Sequence, residues 1–283
     1  MEKQDKWIIK RHVIADKFSL ILALVLMLIM IYLPNVAGSE IATLIFGQDS
    51  DVAMYAYLIL AIVISLVALL IFERWFYPEY KGSLKPSGIG YSLKLCLPVI
   101  VFWVVWMAIQ VMVGFIKVVP LTPMDFLKGL RPGFGEEAAF RGMAVALLLR
   151  RYRGEKRNWI PILLTSLFFG VTHLTNLSAA ASSLEVLQTV VQTVFASFFG
   201  MIFAVIFTLS GSLWPTVILH TAYDTATFCL LHTESSPDWV TFVSVAGTAV
   251  LAIILMVVFY RKQDEATALW DDKWSGTGLI NDE

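Results

Sequence analysis

Three short constellations carry the groups that could do chemistry. The first is the adjacent pair Glu136 and Glu137, followed by Arg141 in the run Gly-Phe-Gly-Glu-Glu-Ala-Ala-Phe-Arg-Gly. The second is His173, one turn after Phe169 at the end of an apolar run. The third is His220, followed four residues later by Asp224 inside another apolar run. Ionisable groups in hydrophobic segments are costly and are kept where they have a partner or a function. Carboxylates and imidazoles brought together from three such helices suit water activation. One group takes a proton from water, and a donor stabilises the negative oxygen that develops at a carbonyl. The chemistry that follows is hydrolysis of a peptide bond.

Helical spacing divides the roles. Residues four apart share a face, so Glu137 and Arg141 are set to pair, acid before base. Glu136 projects about 100° away from its neighbour and is left to act as the base. Phe169 lies on the face of His173 and can wall the site against water. His220 and Asp224 share a face well inside their run, with His220 as the donor to an oxyanion. Singly, each constellation has a plain reading: a structural ion pair with a spare acid, an interfacial histidine, a polar pair in a helix. Together they point to one buried site. The two histidines His173 and His220 with the carboxylates Glu136 and Asp224 equally permit a zinc ion, so a bare and a metal-bound water both remain open. There is no His-Glu-x-x-His helix of the familiar zinc-protease kind. His12 and His232 read as surface groups, and Cys96 and Cys229, without ligand spacing, as packing residues.

The elements that must position these groups are membrane spans. The chain has 283 residues, of which 58% are hydrophobic and 15% charged, which marks a polytopic membrane protein and gives nucleic-acid binding no support. A spanning helix needs about 20 mostly apolar residues. By that rule the fold is an all-α bundle of about eight transmembrane helices. They run near Phe18–Pro34, Val52–Phe72, Leu93–Val118, Glu136–Leu149, Trp159–Leu174, Leu184–Leu209, Leu213–Leu231 and Val240–Tyr260. The fourth and fifth, which carry the unusual charges, are short. Pro120, Pro123, Pro132, Gly133 and Gly135 are expected to break the approach to the glutamates into irregular backbone beside a cavity, with 121–130 as an interfacial helix.

Basic residues set the orientation. Lys3, Lys6, Lys10, Arg11 and Lys17 precede the first span, which reads as an uncleaved anchor. Arg74, Lys81 and Lys85, then Arg150 to Arg157, then Arg261 and Lys262 fall on the same side, which predicts cytoplasmic N and C termini in the plasma membrane. Lys117, Lys128 and Arg131 fit that pattern less well. The polar tail 263–283 reads as a mobile or surface-lying end. The chain divides into N-terminal spans (1–119), a core with all three constellations (120–232), and a last span with its tail (233–283).

The constellations resemble the CPBP family of membrane-embedded proteases, also known as the Abi or CAAX prenyl endopeptidase family. Its hallmarks are Glu-Glu-x-x-x-Arg, Phe-x-x-x-His and His-x-x-x-Asn or Asp on separate membrane helices. Here they read Glu136-Glu137-x-x-x-Arg141, Phe169-x-x-x-His173 and His220-x-x-x-Asp224, in order, over about residues 120–232. The resemblance implies an eight-span endopeptidase in which Glu136 activates water with help from His173, while His220 and residue 224 stabilise the oxyanion. It leaves a glutamate-dependent and a zinc-dependent mechanism open. An ionised Asp224 cannot donate a hydrogen bond as asparagine does, so it must be protonated, orient His220 or bind a metal. The expected substrate is a bacterial peptide or membrane protein met in the lipid bilayer. The rival readings are a non-catalytic scaffold or immunity protein of the same fold and a proton-coupled transporter.

Overall fold

The structure is a computed structural model that describes residues 17–48, 50–86, 89–154, 157–233 and 239–274. Lys3, Lys6, Lys10, Arg11, His12, Lys156 and the tail beyond Trp274 lie outside the described residues. The chain forms an all-α bundle. Its helices are α1 (Ser19–Phe46), α2 (Asp51–Ile71, continued by π-helical Phe72–Phe76), α3 (Ile89–Met112), α4 (Pro123–Glu137), α5 (Ala146–Tyr152), α6 (Trp159–Thr172), α7 (Ser183–Ser210), α8 (Trp214–Cys229), α9 (Trp239–Arg261) and α10 (Gln263–Lys273). A π-helical stretch, Ala138–Val145, joins α4 to α5 in one rod, and a 3₁₀ stretch, His173–Ala179, continues α6.

Six helical stretches are long and apolar enough to cross a membrane: Ser19–Phe46, Asp51–Phe76, Gly90–Met112, Trp159–Ala179, Ser183–Ser210 and Trp239–Arg261. They turn aliphatic side chains such as Ile21, Leu28, Val63, Val104 and Ile253 outward. This is a multi-pass membrane protein. The rod differs. Every residue from Glu137 to Arg150 is buried. A helix apolar on all sides, as Ala144 to Leu149 is, finds no polar face to offer water and sits at the centre of a bundle. The stretch Glu137–Arg150 of the rod therefore stands inside the ring of outward-facing helices, while α8, the other expected span, buries Val217, Leu219 and His220 and leaves Ile218 exposed.

Several boundaries depart from the sequence expectation. The first helix runs through Pro34 to Phe46, with Pro34 buried inside it. A proline removes one backbone donor, and packing against neighbours makes this tolerable in a membrane helix. The third ends at Met112, and Ile116–Val118 instead pairs antiparallel with β2, Leu230–His232, as a two-stranded ribbon. The largest correction concerns the approach to the glutamates, which is regular helix. Thr122 and Asp125 form a capping box, Pro123 occupies the first turn, and the helix passes through Pro132. Residues 121–130 are thus the rod's start rather than a separate surface helix.

The glycines there serve close packing. A Cβ on Gly129 would lie 2.2 Å from Thr225 Oγ1, and one on Gly133 2.3 Å from Thr221 Oγ1. Spaced four apart on α4 against threonines spaced four apart on α8, they let two backbones touch, as small residues do between membrane helices. This contact sets the depth of α4 against α8, and so of Glu136 and Glu137 against His220.

Residues 263–274 pack one face into the bundle and leave the other, with Asp264, Glu265, Asp271 and Asp272, exposed. Trp270 and Trp274 are fully buried and stack on Tyr80, and Trp270 Nε1 donates to Thr208 O at 2.8 Å. Lys273 Nζ donates to Gly82 O at 2.7 Å, Arg153 pairs with Asp271 and Lys81 with Asp272 at 2.5 Å each, and Asn158 bonds Gln263. Two indoles bury more than a polar composition suggests. Lys81 and Arg153, from two of the expected basic clusters, are thus both tied to α10, which follows Arg261 and Lys262 of the last.

Candidate active site

Glu137 is completely buried at the end of α4, where the rod changes to π-helical winding. Its Oε1 accepts from Arg141 Nη1 at 2.8 Å and lies 2.9 Å from His220 Nδ1. The pairing of Glu137 with Arg141 read from helical spacing is present, and the carboxylate does a second task by holding an imidazole from α8. Arg141 is also buried. Its other terminal nitrogen donates to Gly200 O at 2.9 Å, and its guanidinium lies 4.9 Å from the centre of the Phe169 ring and 5.4 Å from that of Phe203. Such a charge is held by its bonds and by the faces of aromatic rings.

Glu136 faces elsewhere, as the 100° offset requires, and its side chain keeps 30% of its exposure. Its Oε2 lies 3.9 Å from His220 Nε2, and Asp224 Oδ2 lies 3.6 Å from the same nitrogen with its side chain 26% exposed. Both distances exceed a hydrogen bond and are short enough for strong electrostatic coupling. One buried imidazole therefore has three carboxylates around it, one bonded and two close. Its ring is enclosed by Phe199 at 5.4 Å, Phe203 at 5.4 Å and Phe169 at 6.0 Å between centroids.

His173 opens the 3₁₀ stretch after α6. Its Nδ1 lies 2.9 Å from Phe169 O, and a carbonyl only accepts, so Nδ1 carries the proton and a neutral ring leaves Nε2 as an acceptor. Phe169 packs edge-on against His173 at 5.2 Å and against His220 at 6.0 Å, so one ring touches both imidazoles. His173 and Arg131 are both close enough to Asp224 to act on it electrostatically. All seven residues singled out in the sequence are thus gathered in one region. Among the described residues no direct hydrogen bond joins Glu136 to His173.

The zinc set that the sequence permits does not form. Among the described residues no group of three or more histidine, cysteine, aspartate or glutamate side chains is arranged to hold a metal ion. A catalytic zinc needs three protein ligands converging on one point.

Sequence reasoning missed two supports. Gly200 O anchors Arg141 from α7, a contact across 59 positions that no local pattern records. Thr221 and Thr225 make the close face for Gly133 and Gly129; two small residues four apart in each segment were the available signal.

Comparison with known proteins agrees with this geometry. The family described as Type II CAAX prenyl endopeptidase Rce1-like matches residues 118–226, a stretch that holds all three constellations. No curated protein and no solved structure gave a match. The matched family is a protease family, and residues 118–226 of this chain are similar to it.

Proposed function

We propose that the protein is an intramembrane endopeptidase that hydrolyses a peptide bond with a water activated by Glu136. The observation that carries this is the single imidazole of His220, fixed by Glu137 at 2.9 Å and reaching with its other nitrogen toward Glu136 and Asp224. Glu136 takes a proton from the water, with His173 Nε2 as a second acceptor that orients it. The resulting hydroxide attacks the scissile carbonyl, and the developing oxyanion accepts from His220 Nε2–H. This requires the doubly protonated ring, because Nδ1–H is already given to Glu137. Asp224 and Glu137 offset its charge, so Asp224 need not donate a hydrogen bond itself, which answers the difficulty raised by an aspartate at that position. Glu136 then returns its proton to the leaving amine as the C–N bond breaks, and Arg141 holds Glu137 in place throughout.

The substrate on this reading is a peptide or membrane protein presented within the bilayer of the plasma membrane, with both termini of the enzyme cytoplasmic. Support comes from the family match, which favours a protease over a non-catalytic scaffold. The decisive experiment is hydrolysis of a quenched peptide library by the purified protein in detergent, with and without chelator, beside Glu136→Gln. Cleavage by the wild type that persists in chelator and disappears in the variant supports the mechanism. Equal cleavage by both proteins removes Glu136 from its role.

A further inference from the structure

Arg131 is a cation that neither the fold nor the proposed chemistry has used. It stands on α4 five residues before Glu136, about 7.5 Å back along the axis by the helical rise. Its Nη1 donates to Asn35 Oδ1 of α1 at 2.6 Å, and its guanidinium lies 5.9 Å from the centre of the Tyr57 ring of α2. Asn35 is held in turn. Its Nδ2 donates to Ile31 O at 2.6 Å, and its Oδ1 also accepts from the Tyr57 hydroxyl at 3.2 Å. The guanidinium is thus fixed by an amide and an aromatic ring, both neutral.

What it lacks is an anion. Among the described residues no carboxylate forms an ion pair with Arg131, whereas Arg141 and Arg153 each meet one, at 2.8 and 2.5 Å. Arg131 is only half-buried, and its remaining nitrogens bond nothing among the described residues without being sealed from solvent. Charged groups inside a membrane protein are ordinarily paired. A guanidinium held in place with donors to spare suits an anion that arrives from outside.

The reacting groups lie alongside. Arg131, Asn35 and Glu136 line one pocket of about 20 Å³ between α1, α2 and α4. At about 10–15 Å³ for each water that a cavity admits, this holds one or two solvent molecules, which the oxygens of a carboxylate can replace. The rise from Arg131 to Glu136 equals about two residues of extended chain at roughly 3.3 Å each. Glu136 and Asp224 repel an anion, so its place is at the Arg131 end, a fixed number of residues from the scissile bond. The anions that a peptide carries are carboxylates, on acidic side chains and at its C-terminal end. We propose that Arg131, placed by Asn35, is a specificity residue that binds a carboxylate of the peptide substrate. This rests on the hydrolytic reading above and adds the substrate class to it.

The test separates binding from turnover and one source of carboxylate from the other. Fluorescent alanine-rich decapeptides are titrated by anisotropy against the full chain carrying His173→Ala, which slows cleavage and leaves Glu136 and Arg131 in place. One set is amidated at its end and carries a single glutamate, or a single glutamine, at each position in turn. The other has no acidic side chain and ends in a free carboxylate or an amide. In one set the acid should bind about tenfold more tightly than its amide, at one position only or at the chain end, as a charge-assisted hydrogen bond supplies. Arg131→Gln should abolish that preference and Asn35→Ala should weaken it, and the two sites guard against one variant failing to fold. Equal binding of acid and amide throughout, absence of binding, or a preference that survives Arg131→Gln would overturn the proposal. So would an equal loss of affinity for every peptide in Arg131→Gln, the mark of a residue that only offsets Asp224. Failure of the wild type to cleave a peptide that shows the preference would overturn the hydrolytic reading alone.

Discussion

Two polar clusters lie buried in this bundle, and they differ in what they leave undone. Around α10, charged groups are held by partners through at least one atom each: Glu73 Oε1 accepts from the Ser83 amide and hydroxyl at 2.7 and 2.5 Å, Lys273 bonds Gly82 O, and Arg153 meets Asp271. In the site, about 20 Å away along the rod by the 1.5 Å rise from Glu137 to Arg150, only half the groups are closed. Glu137 and Arg141 are buried and bonded, while Glu136 and Asp224 keep 30% and 26% of their exposure beside a histidine they do not bond. The first arrangement is what a fold needs to hold its end together. The second keeps carboxylates available at the edge of a rigid support, which is what acid–base chemistry needs.

That contrast breaks most sharply at Glu136. Glu136→Gln should lower kcat/KM on a cleaved peptide by about a thousandfold, within the range for loss of a general base, with the melting temperature in detergent unchanged. Arg141→Met should cost both properties, because it strands a buried carboxylate. A destabilisation of about 3–5 kcal/mol is expected in reversible unfolding, with activity lost in the folded fraction as His220 loses its fixed partner. Retention of full stability would show that the Glu137–Arg141 pair does not hold the rod.

Trp270→Ala probes the other cluster. It should destabilise by about 3–5 kcal/mol through the cavity left under Tyr80, while the folded fraction keeps its kcat. A fall in kcat at constant stability would tie the two ends of the rod together. The smallest effect is a pH dependence at Lys273, which burial pulls down from 10.5 to about 8 against the pull of Glu73. The folded state then binds fewer protons than the unfolded one above that value. Stability should rise with pH from about 8 toward 9.5, by less than the 1.4 kcal/mol per pH unit or so that one proton supplies. Tyr80, whose pKa burial raises, opposes this only above its ordinary 10.0. Lys273→Met should flatten the rise, and an unchanged slope would mean that the amine is hydrated.

Much of the site was legible because its grammar is local. Glu137 and Arg141, Phe169 and His173, and His220 and Asp224 each sit four apart, and helical winding alone puts each pair on one face. The apolar runs likewise read directly as helices, since lipid leaves few other ways to satisfy a backbone. What misled was composition read without partners. Pro132 and Gly133 look like breakers, yet Gly133 is the contact through which α4 meets Thr221. The 263–274 segment looks like a polar tail, yet Trp270 and Trp274 find Tyr80, nearly two hundred positions earlier.

The sequence by itself determined which residues could react and which neighbours on a helix would share a face, because both follow from residue type and a fixed winding. Only the tertiary structure decided that Glu137 serves two partners at once and that Phe169 touches both imidazoles. Those facts depend on how closely and at what depth distant helices pack, and that is set by the small residues where their backbones touch.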